Sequence, residues 1–192
     1  MRQQSPRHER RSIRLKEDDY SQPGAYFVTM VTHHRKCIFG EVVNGVMRLN
    51  NFGIIAKTEW FWTSLLRANV QMHPNEFIVM PNHIHGIIWI VETDYKQSKG
   101  AATLRPYYES NNIHKINVFP HSLGAIIRAY KSAVTYHINS LRESPGKPIW
   151  QRNYYEHIIR HQADLKNCCN YIQTNPVTWT NDSEYISPNQ NH

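Results

Sequence analysis

Met80-Pro81-Asn82-His83-Ile84-His85-Gly86-Ile87-Ile88-Trp89-Ile90 is a proline turn followed by an apolar run rich in isoleucine. This composition predicts a buried strand that begins near His83. Because side chains alternate faces along a strand, His83 and His85 lie on one face, whereas Ile84 and Ile88 lie on the other. Two imidazoles on one rigid face form half of a metal site. Since His-x-His also arises by chance in a chain with 12 histidines, the rest of the sequence must show whether this pair belongs to a metal site.

The composition fits one domain with an anionic partner. The chain has 192 residues, of which 40% are hydrophobic, enough for one core. Lys and Arg number 22 against 15 Asp and Glu, which gives a net charge of +7 and favours nucleic acid as the partner. The cysteines number three and include the adjacent pair Cys168 and Cys169, which argues against a disulfide framework and favours core packing.

The apolar runs are short. The longest, residues 87–91, cannot cross a bilayer, and Arg and Gln stand at the N-terminus where a signal peptide needs apolar residues. We therefore expect a cytoplasmic protein with no membrane partner.

The chain divides into three parts by composition. Residues 1–19 contain six Lys or Arg and little to bury, which predicts a flexible basic arm. Residues 20–180 are predicted to form a single domain, in which the aperiodic segment 92–120 is a long loop or insertion. Residues 181–192 are predicted to be a polar tail.

Periodicity within the domain predicts the order strand, helix, strand, strand, helix, strand, helix. This order favours an α+β protein with a ferredoxin-like split βαβ fold, in which helices cover one face of a four- to five-stranded antiparallel sheet. Asn44-Gly45 predicts a small side hairpin. The predicted strands are 25–32, 76–80, 83–91 and about 154–159, and the predicted helices are about 51–67, a helix capped by Ser122 and ending before 144–146, and about 162–174.

Two helices carry candidate functional residues. The helix after Ser122 has Arg128 and Lys131 opposite its apolar stripe, which suits a phosphate backbone, although a solvated face explains them equally well. In the last helix, Tyr171 and Asn175 are four residues apart and so lie on one face. If that face packs along His83 and His85, a phenol, an amide and two imidazoles converge.

Five blocks of the sequence agree with one family in order and spacing. They resemble the IS200-like single-tyrosine HUH transposases and, within them, the REP-associated tyrosine transposases. The blocks are SQPGAYFVT (21–29), VMPNHIHG (79–86), SAVT (132–135), WQRNYYEHIIR (150–160) and NYIQTNP (170–176).

The resemblance implies the HUH nuclease fold with a tyrosine on the C-terminal helix, and an enzyme that cuts and rejoins hairpin-bearing single-stranded DNA. Tyr171 would be the nucleophile, leaving a covalent 5′-phosphotyrosine and a free 3′-hydroxyl. His83, His85 and Asn175 would hold Mg²⁺ or Mn²⁺, and relatives act as monomers or homodimers. A phenol with a pKa of about 10 is a poor nucleophile at neutral pH, so it needs such a cation.

Several alternatives stay open at this point. Tyr154 or Tyr155 could be the nucleophile instead, and Arg152, His157 and Arg160 could contact phosphate or be structural. The protein could also be a sequence-specific nucleic-acid-binding protein of the same fold without catalysis, or an HUH replication initiator or relaxase. A zinc protein that uses the histidine pair with Cys168 or Cys169 is a further possibility.

Overall fold

An antiparallel sheet forms the centre of the protein. The computed structural model describes residues 22–92 and 122–186. The predicted basic arm, all of the predicted insertion except Glu92, and the end of the predicted polar tail lie outside the described residues. Within the described residues, no helix combines the length and the apolar character that a membrane span requires.

The predicted order of elements is confirmed in the described chain, with one short strand added. That strand, Val70–Gln71, is too brief to leave a period in the sequence. The elements are β1 (Gly24–Val31), β2 (Gly40–Val43), β3 (Val46–Leu49), α1 (Asn51–Leu65), β4 (Val70–Gln71), β5 (Phe77–Val79), β6 (His83–Ile90), α2 (Leu123–Leu141), β7 (Tyr155–Ile159) and α3 (Gln162–Thr174).

The sheet has the split βαβ topology. β6 pairs with β1 on one side and with both β4 and β5 on the other, β1 also pairs with β7, and every pairing is antiparallel. β6 thus lies between β1 and β5, and α1 lies in the crossover between those two strands. The predicted α+β fold with a five-stranded antiparallel sheet is confirmed, as is the side hairpin, β2–β3, which turns at Asn44-Gly45 with positive φ at both residues.

The helices cover both faces of the sheet, so the prediction that they lie on one face is wrong for α3. α1 and α2 enclose the larger core on the face of Ile84 and Ile88. α3 packs on the opposite face, where Ile172 joins Ala25, Phe27 and Ile87. The reason is that β1 and β6 carry apolar side chains on both faces, which only a second layer can bury.

Gly86 lets α1 approach the strand that carries the histidines. The ring of Trp60 stacks on Phe77 with centroids 4.6 Å apart and passes directly over Gly86. A Cβ at this position would lie 2.4 Å from Trp60 Cζ2. The glycine of the HIHG sequence is therefore required by the packing beneath the histidine pair.

Candidate active site

His83 and His85 lie side by side on the face of the sheet that α3 covers. Both side chains are buried, and their Nε2 atoms are 2.8 Å apart. The pairing of β6 with β1 sets Thr29 opposite His85, and Thr29 Oγ1 lies 2.8 Å from His85 Nδ1. The strand register thus supplies the partner that orients one imidazole.

Asn82 orients the other imidazole. Its Nδ2 donates to the carbonyls of Arg35 and Glu184, at 3.1 and 2.7 Å, which leaves Oδ1 facing His83 Nδ1 at 2.9 Å. An amide oxygen only accepts hydrogen bonds, so His83 carries its proton on Nδ1 and presents the lone pair of Nε2 to the centre of the site. The Asn-His sequence of the turn therefore fixes the tautomer that a metal ligand needs.

Burial keeps both histidines neutral. It lowers the pKa of His83 to about 3, with a further contribution from His85 and against the opposing effect of Asp182. Burial also lowers the pKa of His85, although Asp182 acts in the opposite direction. Neutral imidazole is the form that coordinates metal ions.

Asp182 is the site residue that the sequence did not reveal. It lies in the segment predicted to be a polar tail, yet its side chain is only 1% exposed and Oδ2 is 3.9 Å from His85 Nε2. Although burial alone would raise its pKa, the nearby His85 and the hydrogen bonds from Asn175 and the backbone N–H of Glu184 hold the pKa of Asp182 well below its usual range. Ligand atoms of His83, His85 and Asp182 all lie within 4.8 Å of one another.

Asn175, which follows α3 directly, completes the buried wall of the site. It is 1% exposed, and its Nδ2 donates to Asp182 Oδ2 at 2.7 Å. Its Oδ1 is also buried, and it accepts no hydrogen bond from the described residues. A buried acceptor without a donor is unfavourable unless a ligand satisfies it.

Tyr171 lies at the open side of the site and is 41% exposed. Its hydroxyl donates to Asp182 Oδ2 at 3.0 Å, and its ring centroid is 4.9 Å from that of His85. Burial of part of the ring and the adjacent Asp182 carboxylate raise the pKa of Tyr171 well above its ordinary value. The phenol is therefore protonated at neutral pH, and only an added positive charge nearby would favour the phenolate.

A small apolar cluster around Ile172 sets the position of α3 over the histidines. Ile172 is buried at 1% exposure against the sheet, and the neighbouring positions Tyr171 and Asn175 face the histidine pair. The convergence of phenol, amide and two imidazoles that the helical spacing predicts is present in the structure.

The alternative tyrosines lie elsewhere on the sheet. Tyr154 packs against the larger core on the other face, beneath the Lys131 ammonium group, 5.6 Å from the ring centroid. Tyr155 is on the α3 side, where its ring meets the edge of Phe27 at 6.4 Å. Tyr171, in contrast, is bonded to a carboxylate beside both histidines.

The predicted DNA-contacting residues fall into two groups. Arg128, Arg152 and Arg160 are exposed. Lys131 donates to the carbonyls of Gln151 and Asn153, and burial lowers its pKa to about 8. His157 is bonded to Asp164 at 2.8 Å. Lys131 and His157 thus have structural contacts that the sequence does not show.

Comparisons with known proteins show what the chain is similar to. An uncharacterized protein of Haemophilus influenzae is 37% identical over 179 residues, 93% of this chain and 94% of the relative. A second protein of that organism, named "Putative REP-associated tyrosine transposase", is 26% identical over 163 residues, 83% of this chain and 73% of the relative. The chain is therefore similar in sequence to a protein named as a REP-associated tyrosine transposase. No family model matches it.

A solved structure of a REP-associated tyrosine transposase bound to a REP hairpin shares the fold. It aligns with 87% of this chain and 74% of its own, with a TM-score of 0.56 and 18% sequence identity. The likeness to this structure is one of fold, and the side chains of the candidate site are those of this chain. The site combines a phenol, a carboxylate, an amide oxygen and two neutral imidazoles at one point.

Proposed function

We propose that this chain is a metal-dependent endonuclease and strand transferase that acts on hairpin-bearing single-stranded DNA, with Tyr171 as the nucleophile. The observation that carries the proposal is the hydrogen bond of the Tyr171 hydroxyl to Asp182, beside the paired histidines. The hairpin in the related solved structure and the net charge of +7 support DNA as the partner.

The side chains fit a divalent cation such as Mg²⁺ or Mn²⁺. His83 Nε2, His85 Nε2, the Asp182 carboxylate and Asn175 Oδ1 would hold it, and imidazole with oxygen ligands suits Mn²⁺ in particular. The buried, unpaired Oδ1 of Asn175 is the observation that favours this assignment, because a cation would satisfy it. For both histidines to coordinate, His85 must carry its proton on Nδ1 and donate it to Thr29 Oγ1. Asp182 is thus a candidate ligand in addition to the three predicted from the sequence.

The proposed reaction is an exchange of phosphoesters. The Tyr171 oxygen attacks the phosphorus, the bond from phosphorus to the 3′-oxygen breaks, and the products are a 5′-phosphotyrosine and a free 3′-hydroxyl. The phenolic proton leaves along the hydrogen bond to Asp182, and the 3′-oxygen takes up a proton. A bound cation would stabilise the phenolate and neutralise the phosphate. Attack by a 3′-hydroxyl on the phosphotyrosine reverses the step and rejoins strands without ATP.

The site is complete within one chain. Tyr171 packs against His85, and Asn175 donates to the Asp182 carboxylate beside it, all within the same chain. We therefore propose that the protein can act as a monomer, although the sequence is equally compatible with a homodimer.

A gel assay tests the proposed function. Labelled single-stranded hairpin DNA with Mn²⁺ should give a protein–DNA adduct that resists denaturant, with the wild type and with the matched control Tyr155→Phe. EDTA and the Tyr171→Phe variant should abolish the adduct. An adduct that forms with Tyr171→Phe would contradict the proposal. Hairpin binding by the wild type without any adduct would favour the alternative of a binding protein without catalysis.

A further inference from the structure

A second group of metal-binding side chains lies between β7 and α3, outside the candidate active site. His157 on β7 and Asp164 and Cys168 on α3 each offer one ligand atom, and these atoms lie within 4.8 Å of one another. His157 Nε2 and Asp164 Oδ2 are 2.8 Å apart. Asp164 and Cys168 are four residues apart and therefore lie on one face of the helix.

The donor set differs from that of the active site in containing sulfur. Zinc accepts imidazole, thiolate and carboxylate ligands at about 2.0–2.3 Å, which places neighbouring ligand atoms about 3.3–3.8 Å apart. The observed distances between the ligand atoms, all within 4.8 Å, allow this arrangement, provided that His157 and Asp164 separate slightly by side-chain rotation. All three side chains are partly exposed, so solvent can reach the fourth position.

We propose that His157, Asp164 and Cys168 form a zinc-type metal site, with water as the fourth ligand, that joins α3 to β7. On binding, the Cys168 thiol releases its proton to solvent and coordinates as the thiolate. Burial, Asp164 and Cys169 raise the pKa of Cys168 to about 11, so the thiolate needs a cation beside it.

Such a site would position the helix that carries Tyr171. Ile172 is the one residue of α3 that is fully buried, and Leu165, Cys168 and Cys169 pack only partly buried against the same cluster. Cys168 lies one turn before Tyr171, and a metal bond there would limit the rotation and sliding of that turn. The site is independent of the proposed strand transfer, since it shares no ligand with the active site.

Cys169 offers a matched control. It is adjacent in sequence, but it packs near Glu76, and burial together with Glu76 raises the pKa of its thiol. Residues 74–76, which precede β5, contact α3, whereas Asp164 is bonded to His157 of β7.

Cobalt substitution tests the proposal. Co²⁺ added to the full chain should give sulfur-to-cobalt charge-transfer absorption in the wild type and in Cys169→Ser, and Zn²⁺ should remove it by competition. Cys168→Ser should lack the absorption, and His157→Asn and Asp164→Asn should bind Co²⁺ at least about 10-fold more weakly. Circular dichroism checks that each variant is folded. If Cys168→Ser does not fold, His157→Asn and Asp164→Asn keep the test decisive.

The candidate active site has no sulfur ligand, so Co²⁺ bound there should not contribute to the sulfur-to-cobalt absorption. A His83→Ala/His85→Ala variant should keep the charge-transfer absorption even though it forms no DNA adduct. The proposal is overturned if the wild type shows no such absorption, or if the absorption persists in Cys168→Ser. Loss of the absorption in Cys169→Ser but not in Cys168→Ser would also overturn the proposal.

Discussion

The side chains around His83 and His85 show how a short motif becomes a site. Thr29 and Asn82 fix the outer nitrogens of the two rings, and burial keeps both rings neutral. The hydrogen-bond partners come from β1 and from the turn before β6, and the burial comes with the layer of α3 over this face. A His-x-His pair on an exposed strand would have neither.

At the residue scale we predict that Asp182→Asn lowers the affinity for Mn²⁺. The variant keeps the shape of the side chain but removes the negative charge beside the histidines, so a loss of about 10- to 100-fold is expected. Isothermal titration or the electron paramagnetic resonance signal of free Mn²⁺ measures it. Glu143→Gln, which removes an exposed carboxylate after α2, should leave the affinity unchanged. Equal affinities for Asp182→Asn and the wild type would show that Asp182 is not a ligand.

Local spacing explains which site residues could be predicted. His83 with His85, and Tyr171 with Asn175, are pairs whose shared face follows from the period of one strand or one helix. Asp182 reaches the site because the chain turns back after α3. Such a turn leaves no periodic pattern in the sequence. Its bonds to Tyr171 and Asn175 appear only in three dimensions.

At the scale of elements, the attachment of α3 determines whether the tyrosine reaches the histidines. We predict that Ile172→Ala destabilises the fold by about 2–4 kcal/mol, because it removes the buried contact with Phe27 and Ile87. Urea unfolding measures the loss. Val177→Ala, at a side chain that is 74% exposed, should change stability by less than about 0.5 kcal/mol. A small effect of Ile172→Ala would mean that other contacts hold the helix.

A second prediction at this scale concerns the packing of α1 beneath the histidines. Gly86→Ala places a methyl group against the Trp60 ring and should cost about 1–3 kcal/mol of stability. Gly24→Ala, whose Cβ would meet its nearest neighbours at 3.7 Å, is the matched control and should be close to neutral. Thermal unfolding of both variants distinguishes them. If the two variants melt alike, Gly86 is not needed for this packing.

The elements themselves follow the sequence closely, with two exceptions. N-cap residues and apolar stripes mark the helices in the sequence, and Ser122 caps α2 as predicted. β4 pairs through only Val70 and Gln71, which is too short for a pattern. The side on which α3 packs is not encoded in its own stripe, since an apolar stripe fits either face of the sheet.

At the scale of the whole molecule, the basic charge should govern affinity for DNA. We predict that Arg152→Ala, at an exposed position, weakens hairpin binding and reduces the slope of log K against log salt by about one unit. Lys57→Ala, also exposed but on α1, is the control and should leave the slope unchanged. Titrations of labelled hairpin at several salt concentrations measure both. Identical slopes for the two variants would remove Arg152 from the DNA interface.

Mixing variants tests whether one chain contains the whole site. Tyr171→Phe and His83→Ala/His85→Ala each lack one half of it. If tyrosine and histidines act within one chain, a mixture of the two proteins forms no DNA adduct. Recovery of the adduct in the mixture would show that the tyrosine serves the histidines of a partner chain.

The residue that carries the DNA after reaction with single-stranded hairpin DNA and Mn²⁺ tests directly whether Tyr171 is the nucleophile. Trypsin places the candidate tyrosines in different peptides, because Tyr154 and Tyr155 fall in the peptide 153–160 and Tyr171 falls in the peptide that begins at Asn167. Fragmentation by mass spectrometry should find the nucleotide on Tyr171. A nucleotide on the peptide 153–160, or on Tyr185, would contradict the account.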